Sequence, residues 1–92
     1  MNIRNIKLEL TVALMNNLSS KNYLGKIKEL MQNFKEQVGT FRGTSELNNT
    51  DLDKEHSLQS LALEYDNCII NIDLVTNNKT RNQFVNRFDL AA

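Results

Sequence analysis

The stretch that decides the fold reads Ser57-Leu-Gln-Ser-Leu-Ala-Leu-Glu-Tyr65, then Asp66-Asn67, then Cys68-Ile-Ile-Asn-Ile-Asp-Leu-Val75. Folding the chain back at Asp66-Asn67 places apolar residues opposite one another on one face. Those pairs are Leu63 with Ile70, Leu61 with Ile72 and Tyr65 with Cys68, and the other face carries Glu64 with Ile69, Ala62 with Asn71 and Ser60 with Asp73. Because strand side chains alternate between faces, this match predicts a β-hairpin with a two-residue turn.

The length and composition of the chain bound its class. Ninety-two residues, 40% hydrophobic and 24% charged, predict one globular domain spanning residues 1–92. The N-terminus lacks a basic and then apolar leader, and no run of about 18 apolar residues occurs. A single cysteine, Cys68, fits a reducing compartment. We therefore expect a cytoplasmic protein that is not inserted in a membrane.

Two segments precede the hairpin. Ile6, Leu8, Leu10, Val12 and Leu14 alternate with polar residues, which predicts a strand over residues 3–14. As a helix, the same segment would have no single polar face. Residues 21–38 carry an apolar stripe at helical spacing, with Ser19 or Ser20 as the N-cap and Gly39 at the C-cap, and predict a long helix. The stripe consists of Tyr23, Leu24, Ile27, Leu30, Met31, Phe34 and Val38.

The segments on either side of the hairpin leave alternatives. Residues 40–43 are compatible with a short edge strand, and residues 44–56 read as a long polar loop. A helix from Thr50 or Asp51 through Tyr65 competes with the hairpin, and we favour the strands. The capping-box pattern from Thr80 to Gln83 predicts a short helix over residues 81–90. The rival is a third meander strand that displays Phe84 and Phe88.

These elements predict an α+β fold, a small two-layer sandwich. Its sheet would have three or four mostly antiparallel strands in the order β-α-(β)-β-β-α, covered by one long and one short helix.

Charge is segregated along the chain although the formal net charge is zero. Residues 1–45 hold seven Lys and Arg against three Asp and Glu, and residues 46–92 hold four against eight. The halves therefore carry +4 and −4. A dipolar protein can orient a partner during encounter.

The sequence offers little catalytic or metal chemistry. The only histidine, His56, stands among acids in the expected loop without a second fixed group, so we interpret it as solvent-exposed. The segment from Asp51 to His56 lacks the central glycine of a calcium loop and contains Lys54. Cys68 is interpreted as a small apolar residue. We expect no enzyme activity, no metal and no cofactor.

Nucleic-acid binding is one alternative function. Lys21, Lys28, Lys35 and Arg81 would supply a basic helix face for phosphates. Glu29 interrupts this face, and no nucleic-acid-binding motif is visible.

Protein binding is the function that the sequence favours. Glu46, Asp51, Asp53, Glu55, Glu64 and Asp66 would present carboxylates from a loop and a hairpin tip. Such a surface suits a basic partner, including one that normally holds nucleic acid. Small size, high asparagine content and the lack of proline and tryptophan are common in proteins of phages and mobile elements. We therefore expect a non-enzymatic inhibitor of a host enzyme or defence complex. An open sheet edge would also allow a homodimeric structural subunit.

The segment Leu90-Ala91-Ala92 resembles the Leu-Ala-Ala end of the bacterial tmRNA degradation tag. The resemblance covers three residues and implies recognition by a ClpXP-type protease if the end is free. Three residues are also a match that chance produces.

Overall fold

The computed structural model describes residues 2–15 and 22–92 of the chain. Its helices are α1 (Ile3–Met15), α2 (Tyr23–Gln32) and α3 (Lys35–Val38), and its strands are β1 (Phe41–Asp51), β2 (His56–Tyr65), β3 (Ile69–Asn77) and β4 (Gln83–Ala91). The four strands form one antiparallel meander in the order β1-β2-β3-β4. The helices cover one face of this sheet, so the predicted two-layer α+β class is confirmed.

The central β2–β3 hairpin has the predicted register. Leu63 pairs with Ile70 and Leu61 pairs with Ile72. The turn is closed by the Tyr65 N–H, which donates to the Cys68 carbonyl oxygen across 2.9 Å. The strand pairs therefore follow from the matched apolar faces that the sequence displays.

The hydrophobic core lies between the helices and the hairpin floor. The residues with essentially no exposed surface are Tyr23, Ile6, Leu10, Leu14, Ile27, Met31, Leu63, Ile70, Ile72, Leu74 and Val38. Each fully buried Leu or Ile stabilises the fold by roughly 1.5–3 kcal/mol relative to an exposed side chain. No polar or charged residue is buried among the described residues. The described core is therefore built from apolar and aromatic side chains.

The prediction of a strand over residues 3–14 is wrong, because this segment forms α1. Ile6, Leu10 and Leu14 lie at helical spacing and are buried in the core. Leu8 and Val12 lie on another side of the helix and are 61% and 54% exposed. The apolar residues fit both periods, and contact with the sheet decides for the helix.

The long helix predicted for residues 21–38 is divided in two. Asn22 caps α2, since its side chain accepts a hydrogen bond from the Gly25 N–H at 3.0 Å. The segment that contains Ser19, Ser20 and Lys21 lies outside the described residues. The N–H groups of Asn33 and Phe34 bond three residues back, which ends α2 before α3 begins. Gly39 is the C-cap of α3, as predicted, and has φ of 84° and ψ of −160°.

The polar segment 44–56 is mostly strand, so the predicted loop is wrong. β1 continues to Asp51 and pairs with β2 along its length, which also excludes the helix considered for residues 51–65. Residues 44–51 are all exposed, because β1 is an edge strand with no helix over it. A strand without a buried side shows no apolar alternation, and backbone pairing with β2 holds it instead.

The C-terminal helix predicted for residues 81–90 is also wrong, and the rival meander strand is correct. β4 pairs Arg87 with Asp73 but Val85 with Leu74, so Asn86 is the extra residue of a β-bulge. The bulge shifts the alternation, which places Val85, Phe88 and Leu90 toward the core and leaves Phe84 44% exposed on the opposite face. This shift makes the strand resemble a helical pattern in sequence. In place of a capping box, the Gln83 side chain donates to Thr76 Oγ1 at 3.4 Å.

Two further features of the sequence were membrane insertion, which was not expected, and the tag-like segment Leu90-Ala91-Ala92. No helix among the described residues is long and apolar enough to cross a membrane. Leu90, in the tag-like segment, is 4% exposed and pairs with Ile70, and Ala91 also belongs to β4. These two residues are therefore part of the folded sheet.

Candidate functional site

One end of the sheet extends beyond the helical layer. β1 has 11 residues and is roughly 36 Å long, and the longest dimension of the molecule is 42 Å. In β2, residues 61–63 and 65 are buried whereas residues 56–60 are only half-buried. The uncovered end carries the β1–β2 turn (residues 52–55) and the β3–β4 turn (residues 78–82). We call it the distal end.

Asp53 organises the β1–β2 turn. Its Oδ1 accepts hydrogen bonds from the N–H of Glu55 at 2.7 Å and from the N–H of His56 at 2.8 Å. The Nδ1 of His56 lies 3.0 Å from the same oxygen. The Glu55 N–H foremost, together with His56, holds the pKa of Asp53 below its usual range. Asp53 is therefore ionised near neutral pH, and it shapes the turn as well as charging it.

The other three acids of the distal hairpin each contact a polar neighbour and stay exposed. Glu46 accepts from Gln59 Nε2 at 2.9 Å, and Asp51 accepts from Ser57 Oγ at 3.2 Å. Glu55 lies 3.8 Å from Lys79 Nζ of the β3–β4 turn. Such an exposed pair is weak. These contacts orient the carboxylates without removing them from solvent.

The six predicted partner-binding residues do not form one surface. Glu46, Asp51, Asp53 and Glu55 share the distal hairpin. Glu64 lies near the opposite end of β2, and Asp66 lies in the β2–β3 turn. Ten residues of β2 separate the two turns, or roughly 30 Å.

Asp66 has a structural role at its end of the sheet. Its Oδ2 accepts from the Thr40 N–H at 2.8 Å, and its Oδ1 contacts Arg42 Nε. The Thr40 N–H and then the Arg42 guanidinium hold the pKa of Asp66 below its usual range. These bonds join the β2–β3 turn to the start of β1.

The residues predicted to bind nucleic acid are also dispersed. Lys21 lies outside the described residues. Lys28 Nζ stands 4.6 Å from the centre of the Phe41 ring, and Lys35 lines the same small cavity as Phe41. Phe41 pairs with Tyr65 at the end of the sheet opposite the distal end, which we call the proximal end. Arg81 lies in the β3–β4 turn, at the distal end. A continuous basic helix face including Arg81 does not form, because the segment 81–90 is not a helix.

A polar basin on the helix-side face of the distal end was missed by sequence reasoning. Its volume is about 360 Å³. It is lined by Asn49, Ser57, Gln59, Thr76, Asn78, Arg81 and Gln83. The sequence of the β2–β3 hairpin does contain a sign of this basin. The residues on its inner face change from Leu61 and Leu63 to Gln59 and Ser57 where the helices end.

The opposite, outer face of the sheet shows a second polar arrangement. Ser60 Oγ donates to Asp73 Oδ1 at 2.7 Å, and Arg87 Nε lies 3.1 Å from Asp73 Oδ2. Beside this ladder, Leu58 and Phe84 flank Val75, which is only 6% exposed. The outer face is thus held by its own cross-strand contacts.

The nucleophile and metal candidates have the following environments. Cys68 is buried, and burial raises the pKa of its thiol, which disfavours a reactive thiolate. Within residues 2–15 and 22–92, no group of three or more His, Cys, Asp and Glu side chains converges as metal ligands.

No protein-family model, curated protein or solved structure matches this chain. Inference about its function therefore depends on the geometry of its own residues.

Proposed function

We propose that the protein is a non-enzymatic binding module that acts in the cytoplasm by occupying a basic surface of another protein. The observation that supports this proposal is the distal β1–β2 hairpin, which projects past the helices with residues 44–55 exposed. The hydrophobic core does not need this extension, because its buried residues lie on the helix-covered part of the sheet. An extension that does not serve the core is available for binding.

Charge indicates the kind of partner. Glu46, Asp51, Asp53 and Glu55 lie together on the hairpin, with Lys54 as the only base within it. Carboxylates at an exposed tip favour encounter with a basic surface and exclude acidic ones. The exposed Leu47, at the bulge of β1, adds an apolar contact next to Glu46. Apolar anchors within a charged rim are typical of protein interfaces.

The same acidic surface leads us to propose that the protein is an inhibitor. A protein that places carboxylates on a basic groove prevents nucleic acid from occupying it. This is the mode of action that we propose for a small protein of phage or mobile-element type.

Pairing of two copies through β1 is less favoured by the geometry. The register of β1 shifts at Arg42 and again at Leu47, which gives two bulges in one edge strand. Bulges interrupt the regular row of N–H and C=O groups that strand addition needs. We therefore assign binding to the side chains of the hairpin.

The test is a charge reversal with a matched control. A tagged chain captures its partner from the native cells, and the purified pair is titrated at several salt concentrations. Asp51→Lys with Glu55→Lys should weaken binding and reduce its salt dependence. Glu9→Lys with Glu29→Lys makes the same charge change on exposed positions of α1 and α2 and should leave binding nearly unchanged. Equal affinities for the hairpin variant and the parent protein would exclude the proposal.

A further inference from the structure

The side chains that line the polar basin are uncharged except for Arg81. Amide side chains come from Asn49, Gln59, Asn78 and Gln83, hydroxyls from Ser57 and Thr76, and the guanidinium from Arg81. No carboxylate and no aromatic ring belongs to this lining. A ligand here would meet hydrogen-bonding groups on every side and one positive charge, without a surface for stacking.

Hydrogen bonds fix several of the lining groups. Ser57 Oγ donates to Asp51 Oδ1 at 3.2 Å and accepts from Asn78 Nδ2 at 3.0 Å. Gln83 Nε2 donates to Thr76 Oγ1 at 3.4 Å. Gln59 Nε2 donates to Glu46 Oε2 at 2.9 Å. Glu46 and Asp51 both stand on the β1 side of the basin, so an anion is favoured on the β3–β4 side, next to Arg81. The basin is thus preorganised and polarised across its width.

Arg81 has an unusual backbone conformation. Its φ is 66°, the left-handed region that Gly and Asn adopt at low cost and that arginine seldom adopts. Its N–H donates to the Asn77 carbonyl oxygen at 2.8 Å, which holds it in this conformation. No carboxylate of the described residues lies within ion-pair distance of its guanidinium. The turn therefore holds an unpaired cation beside the basin, at a position where glycine would suit the backbone better.

We propose that the basin binds the carboxylate of a polar acid, with the Arg81 guanidinium as its charged partner. A guanidinium matches a carboxylate through two parallel N–H···O bonds. The amides and hydroxyls of the lining then bond to the polar groups that flank that carboxylate. This chemistry occurs in a free hydroxy acid and in an acidic side chain of another protein. The proposal does not depend on a partner for the acidic hairpin.

The experiment uses the full chain, nitrogen-15 labelling and matched probes at constant ionic strength. Gluconate represents the free hydroxy acid, with glucose as its neutral match. N-acetylglutamic acid α-amide represents an acidic side chain, with N-acetylglutamine amide as its neutral match. At least one acid should shift the side-chain signals of Arg81, Asn78 and Gln83 with saturation, and neither neutral probe should do so.

Two variants separate the site from the general charge of the turn. Arg81→Gly removes the guanidinium but suits the backbone, so this variant stays folded, and its affinity for the acid should fall at least about ten-fold. Lys79→Ala removes an equal charge from the same turn, outside the basin, and should retain the affinity.

The outcomes distinguish the two sources and can overturn the site. Saturation with gluconate alone would support a free hydroxy acid, and saturation with the glutamic acid derivative would support an acidic side chain. The proposal is overturned if neither acid shifts these signals, or if Arg81→Gly and the parent protein bind equally.

Discussion

Phe84 and Phe88 provide a direct test of the β4 bulge. In a helix, residues four apart lie on the same face, so replacing either by alanine would have a similar effect. In the structure the bulge at Asn86 places Phe88 against the core and Phe84 on the outer face, beside Val75. The two substitutions are therefore expected to differ in their effect on stability.

The magnitudes follow from burial. A buried Phe→Ala substitution lowers the free energy of unfolding by about 3–5 kcal/mol. Phe88 is only partly buried against the core, so Phe88→Ala should lower it by about 2–3 kcal/mol. Phe84 is 44% exposed and covers one edge of Val75, so Phe84→Ala should lose about 1 kcal/mol. For a domain of this size, these losses lower Tm by roughly 10–20 °C and 4–8 °C respectively.

Circular dichroism is a suitable measurement, because the chain has no tryptophan. Urea unfolding of the parent and both variants gives the free energies, provided that the dependence on denaturant stays the same. Equal losses for the two variants, or a larger loss for Phe84→Ala, would refute the register of β4.

Two further substitutions test the proximal end of the sheet. The depressed pKa of Asp66 means that its contribution to stability is complete above the ordinary carboxyl pKa of about 3.9 and is lost as pH falls through the lowered value. Asp66→Asn should therefore be less stable at pH 7 and show a smaller decline of Tm on acidification, and an acid profile identical to the parent's would contradict this role. Gly39→Ala should lose about 3 kcal/mol or more in urea unfolding, because its backbone conformation suits only glycine and an added Cβ would lie 2.5 Å from Asp66 Cβ. Gly43 also has a positive φ, 151°, but an added Cβ there would meet open space, so Gly43→Ala should lose stability through backbone strain alone and therefore lose less. The reverse order would count against the packing at Asp66.

The sequence predicts best where pairing is local and apolar. The β2–β3 register follows from a two-residue turn and matched faces. The apolar stripe over residues 21–38 predicts helix correctly for α2 and α3 but gives no sign of the break between them. α1 was misread because its apolar residues fit a strand and a helix alike, and only contact with a distant strand decides between them. The bulge at Asn86 has no signal in the sequence, and it displaces the alternation of β4.

Part of the candidate site could also be predicted from the sequence. The acids of the distal hairpin are adjacent in sequence, so their grouping could be predicted. The sequence predicts a long loop over residues 44–56 and groups its acids with Glu64 and Asp66 at the hairpin tip. In the structure β1 is an extended edge strand, which separates the two groups. The basin combines residues from all four strands and the β3–β4 turn. Its lining could be recognised only after the distal end was known to lie beyond the helices.

The packing of α1 against β4 has a consequence for synthesis in the cell. α1 emerges from the ribosome before every other described element, and β4 emerges after them. Until β4 is made, Ile6, Leu10 and Leu14 lack part of their cover, and the last contacts of the fold join α1 to β4. Native folding is therefore completed only after translation of Leu90.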